Sequence, residues 1–499
     1  MRCICHYNAS MSDRLTRRES LSVIGSAILA GIAAGTAKAQ DEDRKQPNVI
    51  FIMTDDHAAH AMSCYGSKIN TTPNLDRLAA EGMLFKNAFV TNALCGPSRA
   101  TLLTGLYSHK NGFKDNKPNT RFDGSQLTFP KLLQQAGYQT AVIGKWHLNS
   151  EPTGFDYWNI LPGQGRYFDP VFLEMGQRKV VKGYVSDVTT DFCIDWIKRR
   201  DASKPFCLLY HHKAPHREWE PDAKHAKLYE DKDIPLPRTF DDDYANRATP
   251  ARDQQMTVEQ HLVEKDLKQK PPEGLSGQKL KEWKYQRYIK DYLRCVASVD
   301  DNVGRLLNFL DEVGLSDDTI VIYTSDNGFF LGDHGWYDKR FMYEHSMRVP
   351  LLVRFPNRIR PGSTTEAMAI NCDFAPTILD YAGARIPPDM QGRSLRPVLE
   401  GKAPADWRKS VYYHYYEFPQ PHHVHPHNGV RTDRHKLIHY YTLNEWELFD
   451  LEKDPDEMKS VYDDPAYKAV REELTRELGR LREQYGDTEA AAAAAGVRN

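Results

Sequence analysis

The chain has 499 residues, 40% of them hydrophobic and 27% charged, with a formal net charge of −2. That length accommodates one large domain with a smaller companion, and the composition is that of an ordinary globular protein. The near-neutral balance excludes bulk electrostatic attraction to nucleic acid or to an anionic membrane, so no nucleic-acid partner is expected and local charge must carry recognition.

The first stretch reads as a targeting segment. Arg17 and Arg18 precede an apolar run at 21–34 and a small-x-small site, Ala37-Lys38-Ala39. This is the form of a twin-arginine secretory leader ending at residue 39. Met1 and Met11 are both candidate starts, and Met11 gives the leader a conventional shape. No later stretch approaches the about 18 apolar residues of a membrane span. The mature protein is therefore expected to be periplasmic or secreted, without a stable span, after passing the twin-arginine export machinery. Cys64, Cys95, Cys193, Cys207, Cys295 and Cys372 follow the leader at irregular spacings, which fit neither a disulfide framework nor a zinc pattern.

From Asn48 onward the pattern is α/β. "NVIFIMTDD", "TAVIGKWH", "FCLLYHH" and "TIVIYTSDNG" each run apolar and then stop in polar residues. Strands buried on both faces of a mostly parallel sheet look like this, and such sheets carry their sites beyond the strands' carboxyl ends. A helix is predicted over 285–313, where Ile289, Tyr292, Val296, Val299, Val303, Leu306 and Leu310 recur at helical spacing before Gly314. Residues 217–283 are charged and proline-punctuated, and read as a long surface excursion from a catalytic domain spanning 40–385. Beyond 385, "SVYYHYYEF" and "HKLIHYYTLNEWELFDL" predict antiparallel strands, and "AYKAVREELTRELGRLREQYG" an amphipathic helix. These form a small α+β subdomain over 386–486, followed by a disordered tail at 487–499.

Chemistry concentrates at the strand ends. Asp55 and Asp56 bring two carboxylates to one place, and their repulsion requires a cation or a proton. Asp326 and Asn327 end a second strand of the same profile. Oxygen donors of these types suit calcium or magnesium rather than zinc. Lys145 and His147 follow one strand, His216 follows another, Lys339 lies shortly after Asp326, and Arg99 is four residues past Cys95. Five cations beside an acidic cluster describe a receptor for sulfate or phosphate, with helix amides after Pro97 adding partial positive charge. Cys95 taken alone is a small buried hydrophobe in a turn; in this company an exposed thiol in an oxidising compartment needs pairing or conversion.

"CGPSRATLLTG" resembles the type I sulfatase signature, C-x-P-S-R-x-x-x-L-T-G, at every fixed position. "GYQTAVIGKWH" is similar to the family's second signature, and "NVIFIMTDD", "TTPNLDRLAAEG", "APH" and "TSDNG" follow in the family's order, so the resemblance covers about residues 47–460. It implies the alkaline-phosphatase-superfamily fold and a formylglycine (3-oxoalanine) made from Cys95 by a formylglycine-generating enzyme. It further implies calcium on Asp55, Asp56, Asp326, Asn327 and the modified Cys95. Arg99 would hold the formylglycine hydrate, Lys145 and Lys339 would neutralise the sulfate oxygens, His147 would act as base, and His216 would serve the leaving oxygen.

The family sets the reaction but not the sulfated alcohol. "KAPHREW" and "FFLGDHGWYDKRFMYEHSMRVPLLVR" most resemble bacterial N-acetylglucosamine-6-sulfatase-type glycan sulfatases. An iduronate-2-sulfatase-like or other polysaccharide sulfatase, and a phosphodiesterase or phosphonate monoester hydrolase on the same fold, are the alternatives. His414, Glu417 and Arg431 are candidate sugar contacts; His422, His423, His425 and His427 in the same segment could line that subsite too, and such a run can also bind metal adventitiously.

Overall fold

The computed structural model describes residues 46–488. The expected leader at 1–39 and residues 489–499 of the expected tail lie outside the described residues.

The main sheet has ten strands: β1 (Asn48–Thr54), β2 (Met83–Phe85), β3 (Gln139–Lys145), β4 (Tyr157–Leu161), β5 (Val171–Glu174), β6 (Gln177–Val180), β7 (Phe206–His211), β8 (Thr319–Ser325), β9 (Leu351–Arg354) and β10 (Ser363–Thr365). Their spatial order is β10-β2-β9-β8-β1-β7-β3-β4-β5-β6. The central run β8-β1-β7-β3-β4 is parallel throughout. Antiparallel pairing begins at β9 on one side and β5 on the other. The four apolar runs anticipated from sequence are thus neighbours, and their polar C-terminal ends open onto one edge.

Alternation along β1 shows why the sheet needs two covers. Val49, Phe51 and Met53 belong to one buried cluster, and Ile50 and Ile52 to another. The first cluster is roofed by α1 (Cys95–Thr104) and, later in the chain, by Phe374, whose ring lies 5.3 Å from that of Phe51. The second is roofed by α2 (Val185–Arg199) and α3 (Gly277–Glu312). Strands buried on both faces carry no polar alternation, which is why these read as continuous apolar runs.

Helix α3 begins at Gly277, ahead of the predicted 285. Its first turns, "GQKLKEWK", are good helix formers on a solvent-facing stretch, so they leave no apolar period to detect. The region 217–283 also differs from expectation. It holds only the short helices Pro250–Asp253, Val258–His261 and Glu264–Leu267 ahead of α3 among the described residues. Yet Trp219, Ile234, Phe240 and Met256 are buried, so it is pinned to the body rather than laid over it.

The C-terminal part folds as four antiparallel strands in chain order: β11 (Ser410–Tyr415), β12 (His427–Thr432), β13 (His435–Tyr440) and β14 (Glu445–Asp450). Helix α4 (Lys468–Tyr485) buries Leu474, Leu478, Leu481 and Tyr485 at helical spacing. Val411, Val430, Leu437 and Leu448 join the same cluster as α1, so this sheet shares a core with the main one. The ordered chain also runs past the expected boundary at 486. Asp487 accepts hydrogen bonds from Tyr412 (2.6 Å) and His414 (2.5 Å), which packs it against the C-terminal sheet. No helix among the described residues is long and apolar enough to cross a membrane.

Candidate active site

Four parallel strands deliver the site. β1 ends at Asp55 and Asp56, β8 at Asp326 and Asn327, β3 at Lys145, and the turn after β7 carries His216. All these residues are buried. Gly144, one position before Lys145, has φ 104°, and a Cβ there would lie 1.9 Å from the His211 carbonyl oxygen. Only glycine lets β3 bend against β7 at that point and turn Lys145 inward.

Cys95 is the first residue of α1, 1% exposed, with its Sγ 3.3 Å from Asp55 Oδ1 and 3.8 Å from Asn327 Nδ2. One turn on, Arg99 donates from Nε and Nη2 to Asp326 Oδ2 (3.0 and 2.7 Å) and from Nη1 to the Lys145 carbonyl (2.9 Å). The signature spacing from Cys95 to Arg99 is thus a helical i,i+4 pair that sets thiol and guanidinium against one acidic floor. Lys145 reaches Asp55, and also donates to Gln164 Oε1 at 2.5 Å. Lys339 donates to Asp56 Oδ2 at 2.7 Å, and His216 Nε2 lies 3.8 Å from the same oxygen. His147 stands at the rim, where its Nε2 meets Gln164 Nε2 at 3.4 Å.

The tautomers follow from these contacts. His216 Nδ1 donates to the Arg217 carbonyl at 2.6 Å, which leaves Nε2 as the acceptor facing the site. Gln164 spends its oxygen on Lys145, so its amide NH₂ faces His147 Nε2 and the His147 proton belongs on Nδ1. Burial, with Lys145 the first of several cations beside each ring, drives both histidines well below their ordinary pKa. Both rings are therefore neutral in the ligand-free protein. Burial also pushes the Cys95 thiol up to about 12, so an unconverted Cys95 is a protonated, poor nucleophile. Asp56 rises to about 6, through burial foremost and crowding by Asp326 and Asp338, despite Lys339.

Asp55, Asp56, Cys95 and Asp326 place one ligand atom each within 4.8 Å of one another. The Asn327 amide donates to Asp56 Oδ1 (3.1 Å) and Asp326 Oδ1 (2.9 Å), while its Oδ1 is buried with no hydrogen-bond partner. A buried acceptor without a donor, among carboxylates that repel one another, fits a hard cation.

The expected sugar contacts separate. Glu417 lies close to the site: it accepts from Arg340 Nη1 (2.7 Å) and from the Asn116 backbone (2.9 Å), and Asn116 Oδ1 in turn accepts from the Gly96 amide (3.1 Å). His414 is held by Asp487 and stacks on Tyr416 at 3.8 Å. Arg431 is placed apart from the strand-end cluster's own contacts. Its guanidinium pairs with Glu344 (3.3 Å) and covers the Phe89 ring at 4.8 Å, so it serves the packing between β12 and the body. Sequence reasoning missed Gln164, Asn116 and His211, whose Nδ1 lies 3.1 Å from the Lys145 carbonyl. Two of these sit in loops without periodicity. His422, one of the histidines noted in the sequence, pairs with Asp338 (3.2 Å) directly before Lys339.

A fold with its parallel strand ends converging on this cluster has known counterparts. The sulfatase family model matches residues 47–384, and the C-terminal model of N-sulphoglucosamine sulphohydrolase matches 332–484. The chain belongs to the sulfatase family, and is a sulfuric ester hydrolase. It is 49% identical to an N-acetylglucosamine-6-O-sulfatase of Bacteroides thetaiotaomicron over 91% of this chain and 90% of that protein. It is 29% identical to human N-acetylglucosamine-6-sulfatase over 79% of this chain and 70% of that one. A solved protein in complex with its substrate, D-glucosamine-2-N,6-O-disulfate, superposes with a TM-score of 0.87 at 48% identity, covering 90% of this chain and 99% of that one. The phosphonate monoester hydrolase of Agrobacterium radiobacter shares the fold, with a TM-score of 0.71 at 24% identity over 88% of this chain and 96% of that one.

Proposed function

We propose that this sulfatase removes the 6-O-sulfate from glucosamine units of a sulfated glycan, N-acetylated or N-sulfated. The similarity to the Bacteroides N-acetylglucosamine-6-O-sulfatase across nine-tenths of both chains carries the reading. Asp55, Asp56, Asp326 and Asn327, with the modified residue 95, are the set to hold Ca²⁺, which supplies charge neutralisation for a sulfate oxygen. Formylglycine at position 95 supplies a hydrated aldehyde, a nucleophile that can afterwards expel what it has bound.

The remaining residues divide the work. Arg99 fixes the side chain one turn before it, being itself fixed by Asp326. Lys145, whose charge burial opposes and Asp326 favours, and Lys339 point their amino groups at the space where sulfate charge develops. Burial opposes the Lys339 charge, but Asp56 outweighs it and keeps the group a firm cation. His147 Nε2 carries the lone pair suited to take a proton. His216 Nε2 faces the leaving oxygen, and an anionic sulfate beside it raises its proton affinity, so substrate binding itself arms the acid.

Sulfate release from defined saccharides tests the assignment. Fastest loss of the 6-O-sulfate from N-acetyl- or N-sulfoglucosamine 6-sulfate is expected. Preferred cleavage of the N-sulfate, of a 2-O-sulfated uronic acid, or of an aryl phosphodiester would each replace it. We further assign the leader at 1–39 to twin-arginine export, to the periplasm or beyond, with Cys95 converted before folding. Replacing Arg17 and Arg18 by lysine is expected to retain the precursor in the cell; normal export of that variant would refute the assignment.

A further inference from the structure

A second cluster of ligand-type side chains lies among residues that the sulfatase chemistry does not use. His60 sits in the 3-10 turn after β1, Asp333 in the turn after β8, and His345 in the short helix Glu344–Met347. Three distant segments therefore converge on one carboxylate. His60 Nε2 is 3.2 Å from Asp333 Oδ2, and His345 Nε2 is 3.3 Å from Asp333 Oδ1. One ligand atom from each of the three lies within 4.8 Å of the other two. The neighbouring His334 turns away, to Asp242 at 2.8 Å, so it does not crowd the cluster.

His60 Nε2 is buried beside the carboxylate yet outside hydrogen-bond geometry with it. The two imidazoles approach opposite oxygens of the one carboxylate, His60 at Oδ2 and His345 at Oδ1, so Asp333 is bracketed by two nitrogen donors. Asp333 Oδ2 is itself braced by the Leu331 amide at 3.0 Å, as ligating carboxylates commonly are.

We propose that His60, Asp333 and His345 form a second, transition-metal site, taking a divalent ion of the zinc class. Two imidazoles and one carboxylate select such an ion over calcium, so the site is chemically distinct from the all-oxygen cluster. His60 is 31% exposed at its side chain, which gives an ion a way in. The bound ion would tie the turn after β1 to the turn after β8, the two elements that carry Asp55–Asp56 and Asp326–Asn327.

The test uses the mature protein, stripped with a chelator, saturated with Ca²⁺ and titrated with Co²⁺. One equivalent is expected to bind with ligand-field bands of four- or five-coordinate geometry, and Zn²⁺ to displace it. His60→Gln is expected to weaken binding by more than about 10-fold, and His423→Ala, in the surface histidine run, to leave it intact. Zn²⁺ should raise the thermal midpoint of the wild type and not that of His60→Gln, while Ca²⁺-supported sulfate release persists in both. No such equivalent in the wild type, equal binding by His60→Gln, or loss of binding in His423→Ala alone would overturn the site. None of these outcomes depends on which sugar the enzyme prefers.

Discussion

Two buried charge clusters invite comparison. One is the strand-end pocket of Asp55, Asp56, Asp326, Asn327, Arg99, Lys145 and Lys339. The other lies between β12, β13 and the body, where Lys436 bonds Glu457 (2.5 Å) and Glu344 (3.0 Å), and Arg431 pairs with Glu344. Both balance acid against base. They differ in what is left over. The first leaves an acceptor, Asn327 Oδ1, beside a thiol that carries no charge; the second leaves a donor, Arg431 Nη1, on a guanidinium that covers the face of Phe89. A surplus acceptor asks for a cation, whereas a surplus donor over a ring is already quiet. Function and scaffolding are thus separated by the sign of the remainder, not by the number of charges.

The sharpest way to break the comparison is at Cys95. Cys95→Ala is expected to lower sulfate release by more than about 10⁴-fold with little change in thermal midpoint, since its Sγ makes only long contacts. Mass spectrometry of active wild-type protein showing an unconverted thiol would contradict the assigned chemistry. His216→Gln keeps the bulk and removes the proton carrier, and should cost about 10²–10⁴-fold in kcat with a smaller change in KM; equal losses in both would point to simple binding. In the second cluster the signs reverse. Lys436→Ala leaves two carboxylates without their shared cation and should cost about 3–5 kcal/mol in urea unfolding, with activity per folded molecule unchanged.

A smaller effect lies at Asp487. Burial works to raise its pKa, yet hydrogen bonds from His414 and Tyr412 hold it below the ordinary 3.8. A carboxylate with a depressed folded pKa contributes its stability above the unfolded value and loses it as pH falls from there toward the folded one. Asp487→Asn should therefore cost about 1.5–3 kcal/mol near neutrality, and the difference from wild type should shrink below about pH 4. A difference constant across that range would remove the link.

Much of this was legible in the sequence. Strand ends declare themselves because buried parallel strands are apolar throughout and the following aspartates are not. Cys95 and Arg99 could be paired because one helical turn separates them. The partners of Glu417 and Arg431, namely Arg340 and Glu344, could not be read from the chain, because a charged residue's partner across a sheet has no fixed spacing. Gln164 sets the tautomer of His147 from a loop, where nothing periodic marks it.

The depth of Cys95 has one further consequence. At 1% exposure, and at the foot of a helix packed into the core, the side chain is out of reach of another enzyme once the chain has folded. Under the proposed chemistry, each molecule's competence is settled once, during synthesis, and cannot be restored later. Two preparations equal in purity and thermal stability can then differ in turnover, and the ratio between them dates an event that neither folded structure records.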